Sequence, residues 1–219
     1  NLIPIKIDTN QKNVIIPNGV NINLLDMKDK SNSTIKISGN PCLLSVGSIT
    51  HRKGQINLIN ALPIIKKKYP DVHYHCVGLP IDKDKIMKRI KSLNLECYMT
   101  LHGVIDNNRL NNIYKQADIL IMLSQSNIDS CVEGFGIVIL EANLFGVPAL
   151  GSKQTGIEDA IIQKKTGVLV DPYSNEEILS GIDLLLEQKK YLSQNAVVWA
   201  LEHNWSQISD RYLKAIINE

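Results

Sequence analysis

Five short apolar runs, each stopping at a small residue and each followed by a helix-patterned segment, govern how this chain can fold. CLLSVG stops at Gly47, HYHCVG at Gly78, MTLHG at Gly103, ILIMLS at Ser124 and VPALGS at Gly151. Each run is too continuous for a half-exposed antiparallel strand and reads as a strand buried on both faces. The segments between them carry helical periodicity. Ile86, Met87, Ile90 and Leu93 form one stripe, Leu110, Ile113, Tyr114 and Ala117 a second, and Ile178, Leu179, Ile182, Leu185 and Leu186 a third. Strand and helix alternating every ~20–30 residues makes βαβ units, hence a Rossmann-like α/β domain with a doubly wound parallel sheet and right-handed crossovers.

Such a sheet binds ligands beyond the carboxyl ends of its strands, where those small residues fall. The first strand–helix turn reads GSITHRKG rather than GxGxxG, and no GxxxxGK[ST] loop occurs, which sets aside nicotinamide dehydrogenases and P-loop nucleotidases. With 24 Lys plus Arg against 22 Asp plus Glu, no global field draws in nucleic acid or an anionic membrane. Any basic site must be local. The four cysteines, at 42, 76, 97 and 131, lack zinc-ligand spacing, and Cys42 and Cys76 sit in apolar runs as reduced core thiols. The start NLIPIKIDTNQ lacks the regions of a signal peptide and no run approaches a spanning helix, so a cytoplasmic setting is expected and the sequons at Asn32 and Asn204 are read as chance.

At the edges of the repeat, VIIPNGVNI at 14–22 reads as a short strand broken by Pro-Asn-Gly, and 23–40 as a surface loop with a helical turn. Near the other end Asn204 or Ser206 offers an N-cap to a helix whose stripe is Ile208, Tyr212, Ala215 and Ile216.

Three local anomalies carry chemistry. His51-Arg52-Lys53-Gly54 places cations at the start of the first helix, against its dipole; they suit a bound phosphate or form a solvated cluster, and their place after the first repeat strand favours the phosphate. Cys131-Val132-Glu133-Gly134-Phe135-Gly136 puts two glycines before an apolar helix, so that amides can face a ligand's oxygens. The helix from Ile137 to Phe145 is apolar almost all round and should be buried between neighbours. Within it stands Glu141, a carboxylate that needs either a salt-bridge partner or a function. Glu141 follows Glu133 by eight residues, which would put Glu133 at the helix mouth and Glu141 about 8 Å along its side, a spacing that could hold two parts of one extended polar ligand.

The Glu-x7-Glu arrangement in EGFGIVILEA, with IPNGV at 16–20, SVGSITHRKG at 45–54, LHGV at 101–104, ADILIMLS at 117–124 and FGVPALGSKQTGIEDAI at 145–161, resembles the C-terminal, donor-binding lobe of the retaining family-4 glycosyltransferases of GT-B fold. The resemblance runs over residues 14–190, and Asn204-Trp205-Ser206 is similar to the family's closing segment. It implies a glycosyltransferase, hexosyl or related, that moves a sugar from a nucleotide-diphosphate sugar to a glycan or lipid-linked glycan. By similarity Lys53 would hold the donor diphosphate, with Gly47, Ser48 and Arg52 beside it. Glu133 and the backbone of Gly134, Phe135, Gly136, Ile137 and Val138 would orient the donor sugar and phosphate, making Glu133 and Lys53 the catalytic candidates. Glu141 would accept from the ribose hydroxyls, and Gly103 and Val104 would cradle the base. No cofactor and no essential metal are implied, and no Asp-x-Asp metal motif is present.

Two departures stand out. Gly47-Ser48 replaces the family's usual Gly-Arg, which removes a bidentate phosphate contact; Arg52 could restore that charge or point into solvent. Thr155-Gly156-Ile157-Glu158 replaces the usual paired glycines, at a loop expected to have less direct ligand contact. The resemblance further implies a missing N-terminal lobe that binds the acceptor. Residues 1–13 would be its remnant or a linker, 14–205 the nucleotide-sugar-binding lobe, and 206–219 a terminal helix packing across to it. The isolated lobe is expected to bind donor without catalysing transfer. The resemblance leaves room for peripheral contact with the inner face of the membrane in the full-length protein, although Lys66, Lys67 and Lys68 read as a solvated helix end. A non-catalytic nucleotide-sugar-binding or interaction module and a nucleotide-sugar epimerase of the same fold are the alternatives.

Overall fold

A computed structural model describes residues 14–25, 35–125 and 133–217. Within them the five repeat strands form as expected: β1 (Cys42–Val46), β2 (His73–Val77), β3 (Met99–Gly103), β4 (Ile119–Met122) and β5 (Ala149–Ser152). A sixth, β6 (Gly167–Val170), follows in a run too short to stand out by pattern. All pairings are parallel and the order is β3-β2-β1-β4-β5-β6, so the chain reverses direction across the sheet between β1 and β4. That pair is the topological switch point, where the crossovers diverge and leave a crevice.

The alternation of apolar residues splits the core in two. On one face α1 (Gln55–Lys68), α2 (Lys83–Ser92) and α5 (Asn175–Glu187) bury Leu58, Leu62, Ile86, Ile90, Ile178 and Ile182. On the other, α3 (Asn107–Tyr114) and α4 (Ile137–Leu144) bury Ile113, Tyr114, Ile139 and Leu140, and α6 (Lys189–Glu202) adds Ala200. Burial pushes the thiols of Cys42 and Cys76 up to about 12, as befits unreactive core cysteines. Lys66, Lys67 and Lys68 close the last turn of α1, where Lys68 pairs with Asp183 at 2.8 Å.

The segment at 14–22 is not a strand. It is extended backbone with one parallel bridge, Val20 to Asn204, because its backbone pairs with the α6 end instead of a strand: Val20 N–H donates to His203 O at 2.7 Å. A single tight turn, Ile22–Leu24, follows it, and 26–34, including Asn32, lies outside the described residues, as do 1–13 and Cys131 and Val132. Asn204 is the cap of α7 (Trp205–Ile217), accepting from Gln207 N–H at 3.1 Å. Of the stripe read on that helix only Ile208 is buried, whereas Tyr212 is 46% and Ile216 68% exposed, since no described element lies against its outer turns.

Candidate functional site

The carboxyl ends of β1 and β4 are stitched together by the turn His51–Lys53. This turn is a separate 3-10 segment capped by Thr50, whose hydroxyl accepts from Lys53 N–H at 3.3 Å, and α1 begins only at Gln55. The cations therefore precede the first helix instead of occupying its first turn. Gly54 intervenes with φ +72°, and a Cβ there would lie 1.7 Å from Leu123 O, so only glycine lets the turn close onto the end of β4. Two bonds hold that contact: Gln125 N–H to Arg52 O at 2.9 Å and Asn57 Nδ2 to Leu123 O at 3.2 Å. Gln55 Nε2 donates to Ser48 O at 3.1 Å, which fixes the loop after Gly47.

Lys53 and Arg52 converge on one carboxylate oxygen. Glu133 Oε2 accepts from Lys53 Nζ at 2.6 Å and from Arg52 Nη1 at 2.8 Å. The Lys53 side chain is only 17% exposed and that of Glu133 13%, so the pair is sheltered; Arg52, at 37%, forms its open side. Arg52 thus turns inward, resolving the alternative of a solvent-facing side chain. Burial pushes the Glu133 carboxyl up, but the hydrogen bonds and charges of Lys53 and Arg52 outweigh it and hold the carboxyl below its usual value. Two cations and one anion leave a net positive centre.

The loop that carries Glu133 is braced from β5. Gly156 N–H donates to Glu133 O at 3.1 Å, and a Cβ on Gly156 would stand 1.8 Å from Gly134 O. The Thr155–Glu158 segment thus buttresses the site directly, a larger role than its departure from the family pattern suggested. Gly134 is exposed, Phe135 is buried with its ring 6.4 Å from that of His203, and Gly136 takes φ +77° to start α4. No side chain caps the α4 amino end, which follows the Glu133 loop directly; of its first amides, Ile139 N–H donates to Gly136 O at 2.8 Å.

Helix α4 is not buried all round. Ile137 is 41% exposed, and Val138 and Glu141 are half-buried on the same open side, while Ile139, Leu140, Ala142, Asn143 and Leu144 face the core. The reason is the 3.6-residue period: Ile137 and Glu141, one turn apart, share the face turned away from the sheet. Because the helix starts at Ile137, only half of the Glu133–Glu141 interval is helical, and Glu133 sits in the preceding loop instead of at the helix mouth. Glu141 has no salt bridge among the described residues. Its Oε2 accepts from the hydroxyl of Tyr114 at 3.0 Å, and Tyr114 is fully buried, stacked on Phe145 with ring centroids 5.6 Å apart. Burial pushes the Glu141 carboxyl up, partly offset by that hydrogen bond, and the Tyr114 hydroxyl well above its ordinary range. Tyr114 escaped the sequence reading because it fits the apolar stripe of α3; the signal was its hydroxyl, which needs a partner when buried.

Gly103, at φ +69°, and Val104, 73% exposed, close β3 two strands from β1. The Gly103 carbonyl already accepts from Gly78 N–H at 2.8 Å, which leaves one lone pair for a ligand. Among the described residues no cluster of three His, Cys, Asp or Glu is placed to hold a metal, and no helix is long and apolar enough to cross a membrane.

Residues 26–199 match the family model described as Glycosyl transferases group 1. The chain is 26% identical over 186 residues to a GDP-mannose-dependent alpha-(1-6)-phosphatidylinositol monomannoside mannosyltransferase of Mycolicibacterium smegmatis, covering 82% of this chain and 48% of that protein. It is 26% identical over 213 residues to a D-inositol 3-phosphate glycosyltransferase of Segniliparus rotundus, covering 93% and 46%. The chain thus spans about half the length of the curated relatives it matches. Among solved structures, Anabaena Alr3699/HepE in complex with UDP superposes with a TM-score of 0.75 at 22% identity, over 93% of this chain and 57% of that one, and shows a shared fold. The C-terminal domain of LpcC, a glycosyl transferase group 1 family protein of Francisella tularensis, superposes with a TM-score of 0.67 at 26% identity, over 84% of this chain and 97% of that domain.

Proposed function

Because the chain belongs to the glycosyl transferases group 1 family, we propose that it is the donor-binding, C-terminal lobe of a retaining, family-4 glycosyltransferase of GT-B fold, which takes a sugar from a nucleoside-diphosphate sugar. One observation carries this reading: Lys53 and Arg52 meet on Glu133 at the β1/β4 switch point, beside the uncapped amino end of α4. The near-complete overlap with a C-terminal domain of the same family supports the assignment of the lobe. The GDP-mannose named for the mycobacterial relative and the UDP held by the Anabaena protein support a nucleoside-diphosphate donor.

The geometry suggests an exchange of partners. A diphosphate entering the crevice competes with Glu133 for Lys53 and Arg52, whose charges then lie against the phosphate oxygens together with the α4 amides. Glu133, released in part, accepts from hydroxyls of the donor sugar. As the anomeric C–O bond breaks, charge builds on the departing diphosphate, and prepositioned cations stabilise that charge without reorganising. Since these two side chains supply the neutralising charge, the transfer is read as needing neither metal nor cofactor. Glu141, turned to the open side of α4, accepts from the ribose hydroxyls, and Gly103 and Val104 lie where the base would sit. The acceptor is a glycan or lipid-linked glycan met in the cytoplasm or at the inner face of the membrane, and the exposed outer turns of α7 are covered by the N-terminal lobe.

Calorimetric titration of the folded chain with UDP, GDP, UDP-glucose and GDP-mannose tests the reading. Binding to at least one, weakened by added salt, is expected. Binding to none of them, with the fold verified by circular dichroism, would overturn it.

A further inference from the structure

One oxygen of Glu133 takes both cations of the crevice. Oε2 accepts from Lys53 Nζ at 2.6 Å and from Arg52 Nη1 at 2.8 Å, while Oε1 accepts from none of the described residues. We propose that Glu133 is an internal competitor for the two cations, by which the site selects an intact nucleoside-diphosphate sugar over the nucleoside diphosphate left after transfer. The inference rests on reading the Lys53–Glu133 centre as the donor site, and names what that site prefers.

The anchoring of the carboxylate gives the first argument. Gly156 N–H donates to Glu133 O at 3.1 Å, and a Cβ on Gly156 would lie 2.6 Å from that same oxygen, so the Glu133 backbone is pressed against the turn after β5. The Glu133 side chain is 13% exposed, and Lys53 and Arg52 are its ion-pair partners among the described residues. A sheltered carboxylate that loses such partners is left undercompensated, which is unfavourable. An anion that draws Lys53 and Arg52 away therefore meets an opposing cost, whose size depends on what the ligand offers Glu133 in exchange.

Ligand chemistry gives the second. In a nucleoside-diphosphate sugar the outer phosphate is a diester with one charge, and the sugar beyond it carries hydroxyls that donate to a carboxylate. Once the sugar has left, the same phosphate is a monoester whose second proton leaves near about pH 6, so at neutral pH it approaches two charges. The hydroxyl donors have gone with the sugar. The intact donor thus replaces the partners that Glu133 gives up, whereas the spent nucleotide replaces none and sets a larger like charge beside the carboxylate. Like charges placed on one site count against the wrong ligand more than against the right one. Glu133 closing again onto Lys53 and Arg52 then favours release of the spent nucleotide.

Isothermal titration of the parent chain, Glu133→Gln and Glu133→Ala with UDP, UDP-glucose, GDP and GDP-mannose tests the proposal, with the fold of each variant verified by circular dichroism. Either variant removes the competing charge, so the nucleoside diphosphate that the parent binds should bind at least about tenfold more tightly, and more so at low ionic strength. The matching nucleotide sugar loses a charged acceptor for its hydroxyls as it gains the cations, and should stay within about threefold of its parental affinity. Glu141→Gln is the control: it should weaken nucleotide and nucleotide sugar alike and leave their ratio unchanged. If removing the Glu133 charge leaves nucleotide affinity unchanged or weakens it, the competition is refuted and the donor reading stands on the parent's own binding. If nucleotide and nucleotide sugar tighten by the same factor, the selection is refuted. If the parent binds none of the four, the donor reading fails and this inference falls with it.

Discussion

Replacing Glu141 separates its two roles, because its carboxylate both faces the crevice and takes the only hydrogen bond that the Tyr114 hydroxyl makes among the described residues. Glu141→Ala strands a fully buried hydroxyl, at a cost of ~1–3 kcal/mol. For a chain of this size each kcal/mol moves Tm by about 2–4 °C, so a clear fall in Tm is expected. Glu141→Gln keeps an acceptor for Tyr114 and removes a charge that burial disfavours. The sign follows from the raised carboxyl: ionisation weighs against the native state increasingly as pH rises from the unfolded value to the folded one, so at neutral pH the glutamine variant should be as stable as the parent or more so.

Binding should respond differently. Hydrogen bonds to a charged acceptor contribute ~1.5–3 kcal/mol, against ~0.5–1.5 for a neutral one, so Glu141→Gln should weaken UDP or GDP binding about ten- to a hundredfold while the fold is untouched. The double variant Glu141→Ala with Tyr114→Phe removes the stranded hydroxyl as well as its partner. It should recover most of the lost Tm and none of the lost affinity, and Tyr114→Phe alone should leave nucleotide affinity within a few-fold of the parent. Differential scanning calorimetry and isothermal titration on the four variants give both readouts. Parental nucleotide affinity in Glu141→Gln would refute the ribose role and leave Glu141 as the partner of a core tyrosine.

Lys53→Gln should weaken nucleotide binding at least about tenfold and flatten its salt dependence, measured by titration at two ionic strengths, whereas retained affinity would point to Arg52 as the phosphate ligand. Gly156→Ala drives a Cβ into Gly134 O, an overpacking worth ~1–3 kcal/mol that must displace the Glu133 loop, so nucleotide affinity should fall along with Tm. Below the ordinary carboxylate range, stability due to Glu133 is lost as pH falls through its lowered folded value, so the acid limb of a Tm profile should be shallower in Glu133→Gln. His73, His75 and His102 are all held below the usual histidine value, by burial first and by one another's charge for His73 and His102, and His75 is bonded on both ring nitrogens, to His102 at 3.0 Å and Ser38 O at 2.8 Å. The unfolded chain therefore binds more protons just below pH ~6.5, and Tm should drop across that window.

What the sequence made legible follows the physics of its signals. Strands buried on both faces leave continuous apolar runs, so β1 to β5 could be placed to within a residue or two, and β6 was missed because GVLV after a lysine-rich turn is too short to carry a pattern. Arg52 and Lys53 were singled out together as a cationic run at the end of a strand, and Glu133 by its spacing to Glu141 and the family resemblance. Their meeting on a single oxygen was not legible, since 80 residues separate Lys53 from Glu133 and only the β1–β4 adjacency joins them. The open side of α4 was misread for a related reason. Apolar composition says what a helix can bury, whereas the sheet decides which face is buried, and here it leaves Ile137, Val138 and Glu141 to the crevice. An apolar surface beside a carboxylate is unfavourable to expose and useful to cover. The same geometry that leaves Ile137 and Glu141 uncovered is what the nucleoside of the proposed donor, with its apolar base face and hydroxylated ribose, would fill.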